Sequence, residues 1–541
     1  MLRMVATRVS KLGTMMTSFG SQRTDPFAIE PRSLVAYAHD AGRRGSWLEA
    51  NLLWTELDRV DPTDLHRVMA LETGRLAGFL PLSSLSARDS PVAIIRVLGA
   101  DYAQHLLADL IRRRPSPEPQ VLELIEQNFN PVPESIRRAL IQVALDEPAT
   151  ARLLQLGAEM VRLRSISSAP AQRTVSLYCG IEVDLPELQS LFEEVPVGDS
   201  NLRAEFRHTQ ILYIQRAVMT SESDAIEVDG DWYFDAVSYA HSHILDVTSD
   251  PIVLAASAEN VAISPPHLST DSIPSGLWLA YPLTHAWGHF VLECLTRLAI
   301  LHAAEECDEE TALVSRAVPE SFLDFARYVY PWVKFVRVEP GASVQIVGCL
   351  IIPSRALTPG RFRWSADGNR YPNMDPLSLG LLGEHMRESL DRHGDSAPMF
   401  PSRVYVDRTS ATYRRSNSEN GVRAIAESHG FHVVDPGTLS PAQEVNLFVN
   451  AVDLCGFSGS QVLLTVAMRS PGRLLYFYHD ESTEMRSLSY SMEICTGVRP
   501  NWILGSRARF LPGYSEQSIH QQIELSEHAT SAAREWLGRD R

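Results

Sequence analysis

The 541-residue chain lacks any run of apolar residues that approaches the roughly 18 needed to cross a bilayer. It also lacks an excess of basic residues, because 49 Lys and Arg face 66 Asp and Glu, for a net charge of −17. The basic surface that nucleic acid binding requires is therefore not expected. Lysine is almost missing, with only Lys11 and Lys334, which indicates a GC-rich genome rather than a function.

Closely spaced cysteines are lacking as well, since the six cysteines form no CxxC pair. In a chain of this size we interpret them as free thiols of a reducing compartment. Residues 1–31 carry basic residues but not the apolar core of a secretory signal, and we interpret them as a disordered tail. The sequence thus predicts a cytoplasmic protein, with peripheral association at a membrane as the alternative.

The remaining composition, 45% hydrophobic and 21% charged, is typical of a globular protein, and the length suggests about three domains. Residues 32–168 carry helical periodicity between Pro- and Gly-rich breaks, and their first helical pair weakly resembles a tetratricopeptide unit. Such paired helices are expected to bind a protein partner, or else to cap the rest of the chain. Residues 169–375 change to short β-branched and aromatic runs, which favours a mixed α/β domain.

Residues 376–541 form the last predicted domain, and strands alternate with helices through its first hundred residues. Ser440 and Gln443 have the spacing of a capping box at the start of one of these helices. The alternation predicts a parallel sheet with helices on both faces. Ligands of such sheets bind beyond the carboxyl ends of the strands, where the helices begin.

A glycine- and serine-rich loop follows one strand of this domain and leads into a helix. Its candidate binding residues are Gly456, Ser458, Gly459 and Ser460. Glycine allows close approach of a ligand to the backbone, and a helix N-terminus attracts anions, so the segment suits a phosphate. The spacing matches neither GxGxxG nor a P-loop, and a tight turn without a ligand is the alternative reading.

A second group of candidate residues lies on the loop after the first strand of the domain, and comprises Arg408, Arg414, Arg415 and Asn417. In a parallel sheet this loop falls on the same edge as the glycine-rich loop. Guanidinium groups pair with two phosphate oxygens at once, so the two loops together predict a diphosphate site. The alternative is a charged loop exposed to solvent.

The third candidate site is the segment around His289 and Glu293, which a helix would place on one face, one turn apart. A carboxylate beside an imidazole can orient it as a general base. With His285, the pair could also hold a metal ion for hydrolysis, and a hydrogen-bonded structural histidine is a further reading. Elsewhere, Asp229-Gly230-Asp231 resembles a metal–nucleotide motif, but the sequence favours a hairpin turn there.

These segments together resemble glycosyltransferase family 61, whose members include proteins described as bacterial capsular polysaccharide biosynthesis proteins. WGHFVLECLTRL at 287–298 is similar to the family's YxHWxxExLPRL segment. The last domain adds further motifs in the family's order, namely Arg408 and Arg414/Arg415 with Asn417 for "R…R…N", Gly430-Phe431 and Leu439–Gln443 for "GF…LS..EQ", Ala451–Ser460 for "Ad.vvGxHGA", and Ser470-Pro471-Gly472 for "PPG".

The resemblance implies an α/β protein of GT-B type, with two Rossmann-like domains facing a cleft behind the helical N-terminal region. It implies an inverting glycosyltransferase that moves a sugar from a nucleotide donor, expected to be a UDP sugar, to a hydroxyl of a glycan or other acceptor. His289 or Glu293 would be the base, and Arg408, Arg414 and the glycine loop would hold the diphosphate. Neither a metal nor a cofactor is implied.

The sequence also departs from the family pattern at several motif positions. Ser458 stands where the family has His, Phe290 where it has Trp, and Thr296 where it has Pro, and the Glu of the final strand is replaced within 475–478. Each loss removes polar contacts to the donor. A catalytically degenerate GT-B scaffold, or a protein-interaction protein, is therefore the alternative to an active enzyme.

Overall fold

The structure is a computed structural model, and the chain divides into two compact units, 1–148 and 149–541. The structure describes residues 38, 53–55, 57, 67–70, 107–108, 111, 132–146, 157–178, 181–185, 189–193, 202–206, 209–235, 250–257, 259–264, 268–281, 284–305, 311–354, 357–359, 372–394, 400–408, 419–478, 483–507 and 523–539. Arg414, Arg415 and Asn417 lie outside these residues, as does most of the predicted N-terminal helical region.

In the first unit, the longest described element is helix α1, Glu134–Asp146. The negative charge of Glu134 in the first turn interacts favourably with the positive end of the helix dipole, and Ile136 and Ile141 are buried. Earlier in this unit, Trp54 and Leu57 pack together in a small apolar cluster. A helix was expected at the position of α1, and it is present.

The second unit contains all the described strands. They are β1 Glu159–Arg162, β2 Ala171–Tyr178, β3 Ile181–Leu185, β4 Gln189–Glu193, β5 Leu202–Phe206, β6 Thr209–Thr220, β7 Ala225–Val228, β8 Asp231–Phe234, β9 Val253–Ala256, β10 Asn260–Ile263, β11 Leu268–Trp278, β12 Thr311–Ser315, β13 Lys334–Val338, β14 Ser343–Pro353, β15 Leu357–Pro359, β16 Pro372–Met374, β17 Arg403–Val406, β18 His432–Val434, β19 Asp453–Phe457, β20 Arg473–Tyr478, β21 Asn501–Leu504, β22 Ser506–Arg507 and β23 Ile523–Glu524.

One long helix of this unit is built from three segments, Trp287–His289 (α), Phe290–Leu295 (π) and Thr296–Ala303 (α), and is called here the histidine helix. The other helices are α2 Glu320–Val329, α3 Pro376–His393, α4 Glu419–Ser428, α5 Pro441–Asn450, α6 Thr483–Thr496 and α7 Glu527–Gly538, with 3₁₀ helices Ile166–Ser168, Pro436–Thr438 and Ser460–Ala467. Among the described residues, no helix combines the length and apolar character needed to cross a membrane.

The first large sheet has eight strands in the order β13-β12-β11-β14-β6-β7-β8, with β2 also paired to β6. Strands β11 to β14 run parallel to one another, whereas β6 is antiparallel to β14 and to β7, and β7 is antiparallel to β8. The sheet is therefore mixed, and only part of it follows the parallel pattern of a Rossmann-like domain. The turn between β7 and β8 holds Asp229 and Gly230 at positive φ, which confirms the hairpin reading of that motif.

The second large sheet has six strands, all parallel, in the order β18-β17-β19-β20-β21-β4. Strands β17 to β20 are the four that the alternation of strands and helices predicted. The sequence did not predict that β4, far earlier in the chain, would pair with β21. The Ser440 and Gln443 side chains form the predicted capping box at the start of α5.

A single hydrophobic core joins the two sheets through the histidine helix, α3, α5 and the 3₁₀ helix Ser460–Ala467. Leu277 of the first sheet and Leu454 of the second belong to the same cluster. On the other face of the second sheet, the terminal helix α7 buries Ala533 and Trp536 against Val422 and Phe431. The terminal helix thus packs on the second sheet, and both sheets share one core within this unit.

Candidate functional site

The histidine helix begins after the turn 284–286, in which Thr284 is buried and His285 is exposed. Its first residues contact the 3₁₀ helix Ser460–Ala467 that follows strand β19. Phe290, Val291 and Cys294 are fully buried in the core and fix the face on which the helix packs. The π-helical turn Phe290–Leu295 widens the helix by one residue, a feature that often marks functional sites. The sequence predicted a helix here but gave no signal for the π turn.

His289 and Glu293 are in contact, as the one-turn spacing predicted. His289 Nδ1 lies 2.9 Å from Glu293 Oε1. The Glu293 side chain is only 5% exposed, whereas 34% of the His289 side chain is exposed. When the carboxylate accepts a hydrogen bond from Nδ1–H, the unprotonated Nε2 is the basic nitrogen of the ring. This pair can therefore take a proton from a group that reaches the exposed imidazole.

Arg297, one turn after Glu293, is fully buried and anchors the same helix. Its guanidinium donates to the Tyr281 hydroxyl and to Asp235 Oδ2, at 3.0 Å from the latter, and lies 4.0 Å from the centre of the Tyr281 ring. Arg297 belongs to the motif quoted above, but its partners are distant in sequence. No local pattern around Asp235 could have identified this residue as a partner of Arg297.

The glycine loop uses its first glycine for strand packing. A Cβ at Gly456 would lie 2.7 Å from the carbonyl oxygen of Val406, so only glycine allows β19 and β17 to approach this closely. The Ser458 N–H donates to the carbonyl of Phe477 at 2.9 Å, and Ser458 is buried. These two candidate residues thus have structural partners in the sheet.

Arg408 lies directly under the loop rather than out in solvent. It is buried, and its Nη1 donates to the carbonyl of Ser458 at 3.0 Å. A Cβ at Gly459 would lie 2.7 Å from Arg408 Cζ, so the glycine leaves room for the guanidinium. The arrangement places a positive charge beneath Gly459 and Ser460, where the 3₁₀ helix begins. An anion above this turn would gain from that charge.

The histidine helix and the glycine loop meet at Gly288. A Cβ at this position would lie 2.8 Å from Ser460 Oγ and 3.2 Å from Ser460 Cβ. The absence of a side chain at Gly288 therefore lets the start of the histidine helix lie against Ser460. Two segments that the sequence singled out independently are neighbours in the structure.

A pocket of about 230 Å³ opens beside this contact. Trp287 and Phe322 contribute aromatic surface, and Asp324, Glu444 and Gln461 contribute polar groups. Burial raises the pKa of the Glu444 carboxyl to about 8, which favours its protonated form relative to that of an ordinary carboxyl. Within the described part of the chain, Trp287 Nε1 and Gln461 Oε1 are buried without a hydrogen-bond partner. The pocket thus offers aromatic faces and polar groups able to bind hydroxyls. None of these roles was apparent from the sequence.

Comparison with known proteins connects this geometry to a family. Residues 287–475 match the model of the family described as Glycosyltransferase 61. The match covers about a third of the chain and includes both the histidine helix and the glycine loop. A search of curated proteins finds no match to the chain.

Proposed function

We propose that this glycosyltransferase uses a nucleotide sugar, with UDP as the nucleotide, and inverts the anomeric centre. The match of residues 287–475 to the model of glycosyltransferase family 61, which the sequence motifs predicted, supports the proposal. The observation that carries the proposal is the contact between Gly288 and Ser460. It joins a candidate base to a candidate diphosphate site. The two sheets would correspond to the two halves of a GT-B enzyme.

His289 is the proposed base, and Glu293 is a positioning residue. The acceptor hydroxyl attacks the anomeric carbon while the bond from that carbon to the diphosphate breaks. His289 Nε2 takes the hydroxyl proton, and Glu293 holds Nδ1–H and stabilises the imidazolium that forms. The deep burial of Glu293 supports this division of roles, because a nearly enclosed carboxylate cannot meet an acceptor directly.

The leaving diphosphate is proposed to lie over Gly459 and Ser460. The buried Arg408 guanidinium supplies charge from below, and the start of the 3₁₀ helix supplies N–H groups. Arg414 and Asn417 are proposed to complete the site from their loop. The acceptor is proposed to bind in the pocket of Trp287 and Glu444, since sugars stack on aromatic rings and hydrogen-bond through their hydroxyls. We further propose that the acceptor is a glycan in polysaccharide assembly, at the cytoplasmic side of a membrane or in the cytoplasm.

A thermal-shift panel with UDP, GDP, CMP and dTDP tests the donor site on the full chain. A ligand at one hundred times its Kd stabilises the folded state by about 2.7 kcal/mol, which is readily measured as a rise in Tm. We expect the rise with UDP. A selective rise with another nucleotide would overturn the choice of UDP and keep the site.

One observation favours a second candidate, a relative that no longer catalyses transfer. Arg408 and the Ser458 N–H, both expected to bind phosphate, make hydrogen bonds within the protein instead. Under this reading, the site is a scaffold, and no nucleotide in the panel would raise Tm. Turnover of any nucleotide sugar by the purified chain would eliminate it.

A further inference from the structure

Two histidines and a glutamate converge at the far end of the histidine helix, away from His289. His302 lies in its last turn, and His385 and Glu388 lie on α3. A spacing of three residues places His385 and Glu388 on one face of α3. One nitrogen or oxygen atom from each of the three side chains lies within 4.8 Å of the other two.

We propose that His302, His385 and Glu388 bind one divalent transition-metal ion, with Zn²⁺ as the favoured ion. Two imidazoles and one carboxylate are a donor set that Zn²⁺ takes readily, because it accepts both nitrogen and oxygen ligands. Three protein ligands leave one tetrahedral position for water. None of the three residues takes part in the proposed transfer site, so the inference does not depend on it.

The spacing of the donors is close to that of a bound ion. A point equidistant from three atoms that are 4.8 Å apart lies about 2.8 Å from each, whereas Zn–N and Zn–O bonds are about 2.0–2.2 Å. Because 4.8 Å is the upper bound of these separations, each donor would move inward by at most about 0.6–0.8 Å, through small rotations of the side chains. Glu388 is exposed, so its carboxylate is free to make the larger part of this movement.

Aromatic residues pack against the two imidazoles. The Trp332 ring stacks on His302 at 6.1 Å between centres, and the rings of His302 and His385 meet edge-on at 4.4 Å. The Tyr330 hydroxyl lies 3.4 Å from His385 Nδ1. A partner on one ring nitrogen orients the other for a metal, as outer hydrogen bonds do in zinc sites. An ion here would be held against a largely apolar wall.

Such an ion would tie together the two helices that support the candidate site. The histidine helix carries His289 at its other end. Helix α3 packs against the 3₁₀ helix Ser460–Ala467, where a Cβ at Gly383 would lie 2.4 Å from the carbonyl oxygen of Val466. The ion is therefore a structural brace between the supports of the base and of the glycine loop, rather than a participant in transfer.

Zinc content and thermal stability test the site on the full chain without an activity assay. The chain is stripped with a chelator, dialysed against Zn²⁺, and measured by elemental analysis and by Tm. We expect one zinc per chain and a Tm that rises with Zn²⁺. Glu388→Gln and His302→Gln should each weaken zinc binding at least about tenfold, since even the loss of an outer-shell partner costs 10- to 100-fold. Because Glu388 is exposed, the Glu388→Gln variant should fold like the wild type.

Glu384→Gln is the matched control, because Glu384 is an exposed carboxylate one turn earlier on the same helix. It should keep the wild-type zinc content and the wild-type rise in Tm. The proposal is overturned if the wild-type chain retains no zinc. It is equally overturned if Glu388→Gln and His302→Gln bind zinc as tightly as the control, since the ion would then lie elsewhere.

Discussion

The histidine helix and the glycine loop meet at Gly288 and Ser460, but they use their polar groups in different ways. On the helix, the buried Glu293 is paired with a ring that is one-third exposed, so a reactive nitrogen can face solvent. On the loop, the Ser458 N–H and the Arg408 guanidinium are engaged inside the protein. Under the proposed function, the helix would supply the chemistry, and the loop would supply shape and a buried charge.

Replacement of His289 should produce the largest effect on activity. His289→Asn keeps an amide that can donate to Glu293 but removes the basic Nε2. We expect kcat to fall about 10²- to 10⁴-fold, the contribution of a general base, with little change in Tm. Sugar transfer measured with the donor that the thermal-shift panel identifies checks this.

Two controls set this result against the loop. His285→Asn removes an exposed histidine just before the helix and should retain activity. Ser458→Ala removes a hydroxyl from the loop but keeps its backbone hydrogen bond, and should change kcat only a few-fold. If Ser458→Ala were as damaging as His289→Asn, the division between chemistry and shape would be wrong.

Gly288→Ala tests the contact itself and should have an intermediate effect. The added Cβ meets Ser460 Oγ at 2.8 Å, so either the side chain or the helix must shift. Overpacking of this kind costs about 1–3 kcal/mol of the free energy of unfolding, and Ser460→Gly in the same chain should recover most of that loss. Urea denaturation of the two single variants and the double variant measures the coupling. Purely additive losses would show that the two residues are not in contact.

The sequence predicted contacts between residues that are close in the chain, but not contacts between residues that are far apart in it. The His289–Glu293 pair and the Ser440–Gln443 capping box are local, and helical spacing is enough to place them. The parallel strands β17 to β20 follow one another, so their alternation with helices was visible. The pairing of β4 with β21 depends on a return of the chain over some 300 residues, and no local pattern encodes it.

The partners of the buried arginines are also far from them in the sequence. Arg297 and Arg408 both lie in sequence motifs, but the groups they bind, Asp235 and the carbonyl of Ser458, come from other elements. Arg408 was expected to face a ligand, and the structure gives it a bond to the loop. Its action on a phosphate stays a prediction, as does the role of Arg414.

Glu444 tests the pocket beside the two regions through pH. Burial raises the pKa of Glu444 to about 8, from an ordinary value near 4.5, so the folded state holds a proton that the unfolded state loses. Stability falls with rising pH wherever the folded state binds more protons, here between about pH 4.5 and 8.

The free energy of unfolding of the wild type should therefore fall relative to Glu444→Gln across this window and level off above pH 8. Urea midpoints of both chains at pH 5, 7 and 8.5 measure the difference. Parallel curves would mean that Glu444 ionises normally, and that the pocket is wetter than its aromatic walls indicate.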